Sequence, residues 1–229
     1  MITNSGENHM TSKCMFRCAC VAVSLLGSFA ACVGDSTSAA PAEGAPSPLA
    51  AASGPRVAAA SGGGAAIELS GSAVALETVA VQRGAVALDV TVLADDRSAP
   101  GTVAIVRGDF VETVEALATQ AGQPAGSTYL EQSWQFSQAP GAAGDLVITV
   151  ATTGLDYLGT TADGLALRHA GQLDVRYSHG TWLDASGAQW AIPAHHDSGH
   201  IVLTVPAAVV AASRFPAVLD PQIVVTPIT

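Results

Sequence analysis

Beyond position 32 the chain has no cysteine and no lysine. All four cysteines (Cys14, Cys18, Cys20 and Cys32) and the single lysine, Lys13, fall in the first 32 of its 229 residues. The remainder can hold no disulfide, iron–sulfur cluster or thiolate zinc site. Nor can it supply a Schiff-base lysine or the lysine of a phosphate-binding loop, which excludes P-loop enzymes and lysine-dependent aldolases. Positive charge is scarce as well. After Cys32 stand 7 arginines against 18 Asp and Glu, a net −11, where the whole chain carries −10. That balance provides no basic stripe for a phosphate backbone, so no nucleic-acid partner is expected. The 49% hydrophobic fraction is rich in Ala, and aromatic residues make up only 5%.

The cysteines and the lysine mark a different kind of segment. Lys13 and Arg17 precede an apolar, small-residue run over 18–31. Fourteen residues are too few to span a bilayer as a helix, which takes about 20, and the pattern is that of an export signal over 1–31. Met10 would serve as an alternative start with conventional signal proportions. Phe29, Ala30, Ala31 and Cys32 match a bacterial lipobox, with Phe29 where Leu is usual, so Cys32 is the expected lipidation site. Membrane association through an N-terminal lipid follows from that reading, with the cell envelope, as an outer-membrane lipoprotein, as the expected address. The alternative is cleavage near Ala30 and a secreted chain.

From 33 to 65, Ala, Gly, Ser and Pro occupy 26 of 33 positions. Such a segment has too few bulky groups to offset the entropy of ordering, and 32–65 is expected to be a disordered tether. The stretch 66–229 is patterned otherwise. Val86, Leu88, Val90 and Val92 alternate with Ala87, Asp89, Thr91 and Leu93, the period of a half-buried strand. Similar short runs recur to position 226, separated by Gly, Pro, Asp and Ser. The expected fold is all-β, an antiparallel β-sandwich-like domain. Two segments also carry helical signals: 109–118, with a capping-box-like start and Phe110, Val114 and Leu117 at helical spacing, and the Ala-rich 206–213.

Chemistry-bearing motifs are few. There is no Gly-x-Ser-x-Gly elbow and no calcium-loop series of alternating aspartates, and Asp95 and Asp96 read as a turn. No catalytic residue and no cofactor is assigned. Asp184 to Gly187 suits a three-residue hairpin loop, which would place Trp182 opposite Trp190, as a core pair or as a binding platform for carbohydrate. The same counting around Asp197 to Gly199 sets His196 opposite His200. With His195 and Asp197 adjacent, and no third ligand assigned beyond a guess at His179, these histidines are weak metal candidates, because a site needs three or four ligands and supporting partners. The bland reading is a solvated hairpin tip.

Three segments resemble the N-terminal β-rich domain of large secreted bacterial surface proteins, which often precedes kelch-like, FG-GAP or immunoglobulin-like repeats. They are Leu130 to Phe136 with Pro140, Gly141 and Gly144 to Leu146; Val175 to Tyr177 with Trp182 to Gly187; and 201–206 with Ala212 to Pro221, where Phe215 replaces a common Tyr. The resemblance implies a folded β-domain on an exported protein, a strand over 110–118, and a domain boundary near Asp220 and Pro221. It carries no catalytic residues. Only eight residues follow Pro221, so the repeats are absent from this chain and a shortened or minimal form is implied. Phe215-Pro216 and Asp220-Pro221 suggest a terminal edge strand. The expectation is a lipid-anchored envelope protein with a structural, adhesive or binding domain, a protein or carbohydrate partner, and an acidic, salt-sensitive contact face. The competing expectation is a secreted hydrolase or metal-dependent enzyme centred on His195, His196 and His200.

Overall fold

Alternating apolar and polar side chains, punctuated by turn residues, fold the described residues mostly into antiparallel strands. The computed structural model describes residues 56–59, 65–69, 72–96, 101–118 and 124–228, all within one unit, Pro48–Thr229. Cys32, the other cysteines and the signal-like segment lie outside the described residues. The strands β1 (Arg56–Ala59), β2 (Ala65–Leu69) and β3 (Ser72–Arg83) form a meander, with the short β4 (Val86–Ala87) returning along β3. A second meander, β5 (Val92–Asp96), β6 (Thr102–Arg107) and β7 (Val111–Leu117), leads into β8 (Thr128–Phe136). Next come β9 (Leu146–Thr153), β10 (Asp156–Thr161), β11 (Gly164–His169) and β12 (Leu173–Ser178). Two hairpins follow: β13 (Gly180–Leu183) with β14 (Gln189–Ile192), and β15 (Ala194–Asp197) with β16 (His200–Val205). Among the described residues one helix, α1 (Ala207–Ala212), precedes β17 (Ala217–Asp220) and β18 (Gln222–Pro227).

Two sheets result. The smaller runs β1-β2-β3-β9-β16-β15, with β4 on β3; the larger runs β10-β11-β12-β18-β8-β17-β13-β14, and β7, β6 and β5 extend it from the other side of β8. One main core lies between them. Ile148, Val150, Ile201 and Leu203 of the smaller sheet share it with Leu130, Trp134, Tyr177 and Leu219 of the larger, all fully buried. Each such aliphatic side chain contributes about 1.5–3 kcal/mol on burial. Phe110, Phe136, Trp182 and Phe215 form a chain of rings with successive centroids 5.5, 5.9 and 6.4 Å apart. A smaller cluster, Val103, Ile105 and Val114 with Val92, sits under the β5–β7 wing. The expected all-β, sandwich-like architecture is the one observed.

Several local expectations change. The stretch expected to be tether contains β1, and β2 begins at its last residue, because backbone pairing along the free edge of β3 needs no bulky side chains. The alternation at 86–93 does not make one strand. Asp89 Oδ1 accepts from the Thr91 amide at 2.8 Å, an Asx-type turn that interrupts pairing, while Leu88 and Val90 still pack on the core. Asp95 and Asp96 end β5 rather than forming a turn. Residues 111–117 are a strand, and 207–212 the short helix. The C-terminal strands are not an edge. Both β17 and β18 pair with β8, flanked outside by β13 and β12. Pro221 sits between them, where no ladder donor is missed, and its carbonyl accepts from the Gln132 amide.

The sheets are also joined by a buried polar knot. A bulge at Val79, where Thr78 faces Val150 and Ala80 faces Thr149, sets the side-chain parity of β3 and keeps Thr78 inward. Thr78 donates to Glu112 Oε1 at 2.7 Å, and Gln132 Nε2 donates to the same oxygen at 2.9 Å. Arg107 donates to Glu112 Oε2 from Nε at 3.1 Å and Nη2 at 2.7 Å. Trp134 donates to Thr78 Oγ1, and Tyr177 to Gln132 Oε1. Burial, and then the Glu112 charge, hold the Tyr177 phenol well above its ordinary range, so it stays a donor. Arg107→Met leaves a buried carboxylate without its cation and should cost about 3–5 kcal/mol in a denaturation titration; Arg107→Met with Glu112→Leu should cost less than Arg107→Met alone. Additive losses would refute the coupling.

At the far end, Asp184 Oδ1 accepts from the Ser186 amide, the Ser186 hydroxyl and the Ala188 amide, and Oδ2 from the Arg214 amide. Hydrogen bonds, the Ser186 hydroxyl foremost, hold this carboxyl down at about 2 against an ordinary 3.8. A depressed folded value means its stabilisation is complete above about pH 4 and disappears as pH falls through about 2. Unfolding midpoints followed from about pH 5 to 2 should drop, and drop less in Asp184→Asn; equal drops would rule the loop out as a source of acid sensitivity.

Candidate functional site

The outer face of the larger sheet is read from the parity of its strands. Tyr177, Ile223 and Leu130 point into the core, so their neighbours point away from it. One cross-strand row runs Arg176, Val224, Tyr129 and Leu117; the next contains Gln222, Glu131 and Glu115. On this face the β11, β12, β18 and β8 strands carry a cleft of about 340 Å³. Pro124 stands on one side and Thr161 and Asp163, from the β10–β11 turn, on the other. Gly164 brings that turn close. Its φ is +143°, and a Cβ there would lie 2.1 Å from the Tyr177 carbonyl oxygen, a contact no side chain could occupy.

The polar groups of the cleft differ in how far they are matched. Asp174 accepts from Arg168 at 2.8 Å, Thr226 pairs with Ser127, and Ser178 donates to the His179 carbonyl and accepts from the Gln222 amide. Thr161 donates to the Gly164 carbonyl. Tyr129 is otherwise placed: the residue is 4% exposed, and its hydroxyl is buried with no hydrogen-bond partner. Arg176 is exposed and has no ion pair among the described residues.

Beside the cleft, on the same face, the carboxylates crowd. Glu131 faces Glu115 across the β7–β8 ladder. Burial, and then the Glu115 charge, raise the Glu131 carboxyl; burial, and then the Glu131 charge, push Asp220 up to about 7. One Asp220 carboxylate oxygen is buried without a partner. The group therefore keeps its proton well above the ordinary carboxylate range.

The residues expected from sequence fall elsewhere. Trp182 does face Trp190 across β13 and β14, but Trp182 is fully buried and its Nε1 donates to Ser213 at 2.8 Å, so the pair offers no platform. The histidine hairpin is one residue out of the expected register. Ser198 and Gly199 both have positive φ, 48° and 82°, as a two-residue turn requires. Asp197 therefore faces His200, and His196 faces Ile201. His196 thus projects to the face opposite His195 and His200. Its ring stacks on Tyr157 at 4.1 Å, and His179 Nδ1 accepts from the Ala194 amide at 3.0 Å. Among the described residues no three His, Cys, Asp or Glu side chains form a metal-holding group. Tyr129, Arg176 and Asp220 carry no motif; only strand parity, with pairing order, would have located them.

The raised Asp220 value has a signed consequence. The folded state keeps a proton that the unfolded chain releases near 3.8, so stability is full below about pH 4 and declines as pH rises through about 7. Thermal midpoints should fall from pH 5 to pH 8 in the wild type and fall less in Asp220→Asn; parallel curves would overturn the assignment. Comparison with known proteins finds no matching family model, no similar curated protein and no similar solved structure, so geometry and sequence alone carry the functional argument.

Proposed function

We propose that this chain is an exported cell-envelope protein, anchored by a lipid on Cys32 at the outer membrane, whose β-sandwich-like domain binds a partner rather than catalysing a reaction. The observation that carries the binding role is the contrast between the two polar regions of the domain. Inside, both oxygens of the Glu112 carboxylate are matched by buried donors. In the outer-face cleft, the Tyr129 hydroxyl and the Arg176 guanidinium are left for something else. A buried hydroxyl without a partner is uncommon in folded proteins and invites an explanation by an absent ligand.

The address rests on the lipobox-like residues 29–32 and the segment before them. A secreted form would keep the same domain and differ at Cys32 alone. A hydrolase or metal enzyme on His195, His196 and His200 draws no support from a hairpin that sends His196 to the opposite face. The partner reached by the domain is a protein or a carbohydrate-bearing surface, approached by a strongly acidic face whose long-range attraction weakens with salt.

Labelling of cells with a palmitate analogue tests the anchor. Label is expected on the wild-type chain and absent from Cys32→Ala. Label that survives the substitution, or a wild-type chain that never takes it, would overturn the lipoprotein reading.

A further inference from the structure

The cleft on the larger sheet has more specific chemistry than a general contact surface. We infer that it is a binding site for a small organic carboxylate that also bears hydrogen-bond donors, with Arg176 and Tyr129 as the residues that receive the carboxylate end. The inference rests on the binding role proposed above and names its ligand class.

Two unmatched donors set the requirement. The Arg176 guanidinium presents a planar fork suited to two parallel bonds to a carboxylate. The Tyr129 hydroxyl lies in the same cross-strand row, two strands away across Val224. Adjacent strands are about 4.8 Å apart, so the two Cα positions stand roughly 10 Å from each other. Both side chains exceed half that span and line one cleft. The guanidinium has no acceptor atom, so it requires an acceptor from the ligand, and burial makes an unused Tyr129 O–H donor costly.

The rest of the lining sets the second half of the ligand. Asp163 and Asp174 contribute carboxylates, the former at the β10–β11 turn and the latter two residues from Arg176 along β12. A bare anion would meet repulsion there. An anion with hydroxyl or ammonium groups would offer donors to these acceptors while its carboxylate engages Arg176. The apolar Val224 at the floor leaves room for a carbon skeleton, and about 340 Å³ lies at the small end of ligand pockets. Sugar acids and amino acids share this chemistry, the first with hydroxyl donors and the second with ammonium.

The test is calorimetric titration of the full chain with glucuronate, with alanine, and with glucose as the neutral control. Glucuronate, alanine or both should bind at least tenfold more tightly than glucose; which one binds identifies the donor type. Arg176→Gln, at an exposed position, should weaken that binding at least tenfold. Tyr129→Phe should weaken it severalfold while leaving the thermal midpoint unchanged or higher, since the hydroxyl it removes has no partner in the fold. Failure of both carboxylates to bind, glucose binding equally well, or unaltered affinity in both variants would overturn the ligand class. None of these outcomes bears on palmitate labelling at Cys32, so this inference can fail while the envelope reading stands.

Discussion

The Glu112 carboxylate is the point on which the sandwich is organised. It is wholly buried, and its two oxygens accept four hydrogen bonds from three side chains. An uncompensated charge there would be intolerable, so the positions of those donors are not free variables. Thr78 has to come from the opposite sheet, which ties the separation of the sheets to the length of a hydrogen bond. The bulge at Val79 then follows, because Thr78 must face inward while Val81 and Arg83 also do. A one-residue slip of β7 against β8 would turn Glu112 outward and set Thr113 in its place. The register of the larger sheet is thereby specified by a charge as well as by apolar contacts.

The same side-chain type is driven in opposite directions elsewhere in the fold. Asp184 is surrounded by donors from its own loop and from the segment after α1, and holds its charge in strong acid. Asp220 is buried beside another carboxylate and is slow to give up its proton. Both are short acidic residues close to strand ends. What separates them is the count of N–H and O–H groups within reach, which the surrounding backbone decides. The two carboxyls nonetheless lie at neighbouring strands of the larger sheet, for Asp220 faces Thr181, three residues before Asp184.

Legibility in the sequence was uneven, for identifiable reasons. The all-β class was readable because many short runs alternate, and the Trp182–Trp190 pairing was readable because its loop is local and Gly187 supplies the positive φ it needs. The next hairpin misled by one residue, since Asp197, Ser198 and Gly199 suit a two-residue turn and a three-residue loop alike. Residues 86–93 alternate faithfully yet pair only at the start, because the Asp89 side chain offers the backbone a competing turn. Glu112 looked like a helix-capping acid, and nothing local marks it as the buried centre. The cleft was invisible for a related reason: Tyr129, Arg176 and Asp163 belong to three separated segments, and only the order β12-β18-β8 brings them together.

That order has a consequence for how the domain comes into being. The strand pair 217–227 lies between β8 on one side and β13 and β12 on the other, yet it is the last part of the domain in chain order. A chain emerging from its N-terminus can form its hairpins and meanders early, but the two wings of the larger sheet have nothing to join them until these final residues arrive. Nearly every neighbour of β17 and β18 is distant in sequence, so closure waits on long-range pairing and comes late. The middle of the larger sheet is thus its latest part in chain order, and its pairing joins segments distant in sequence.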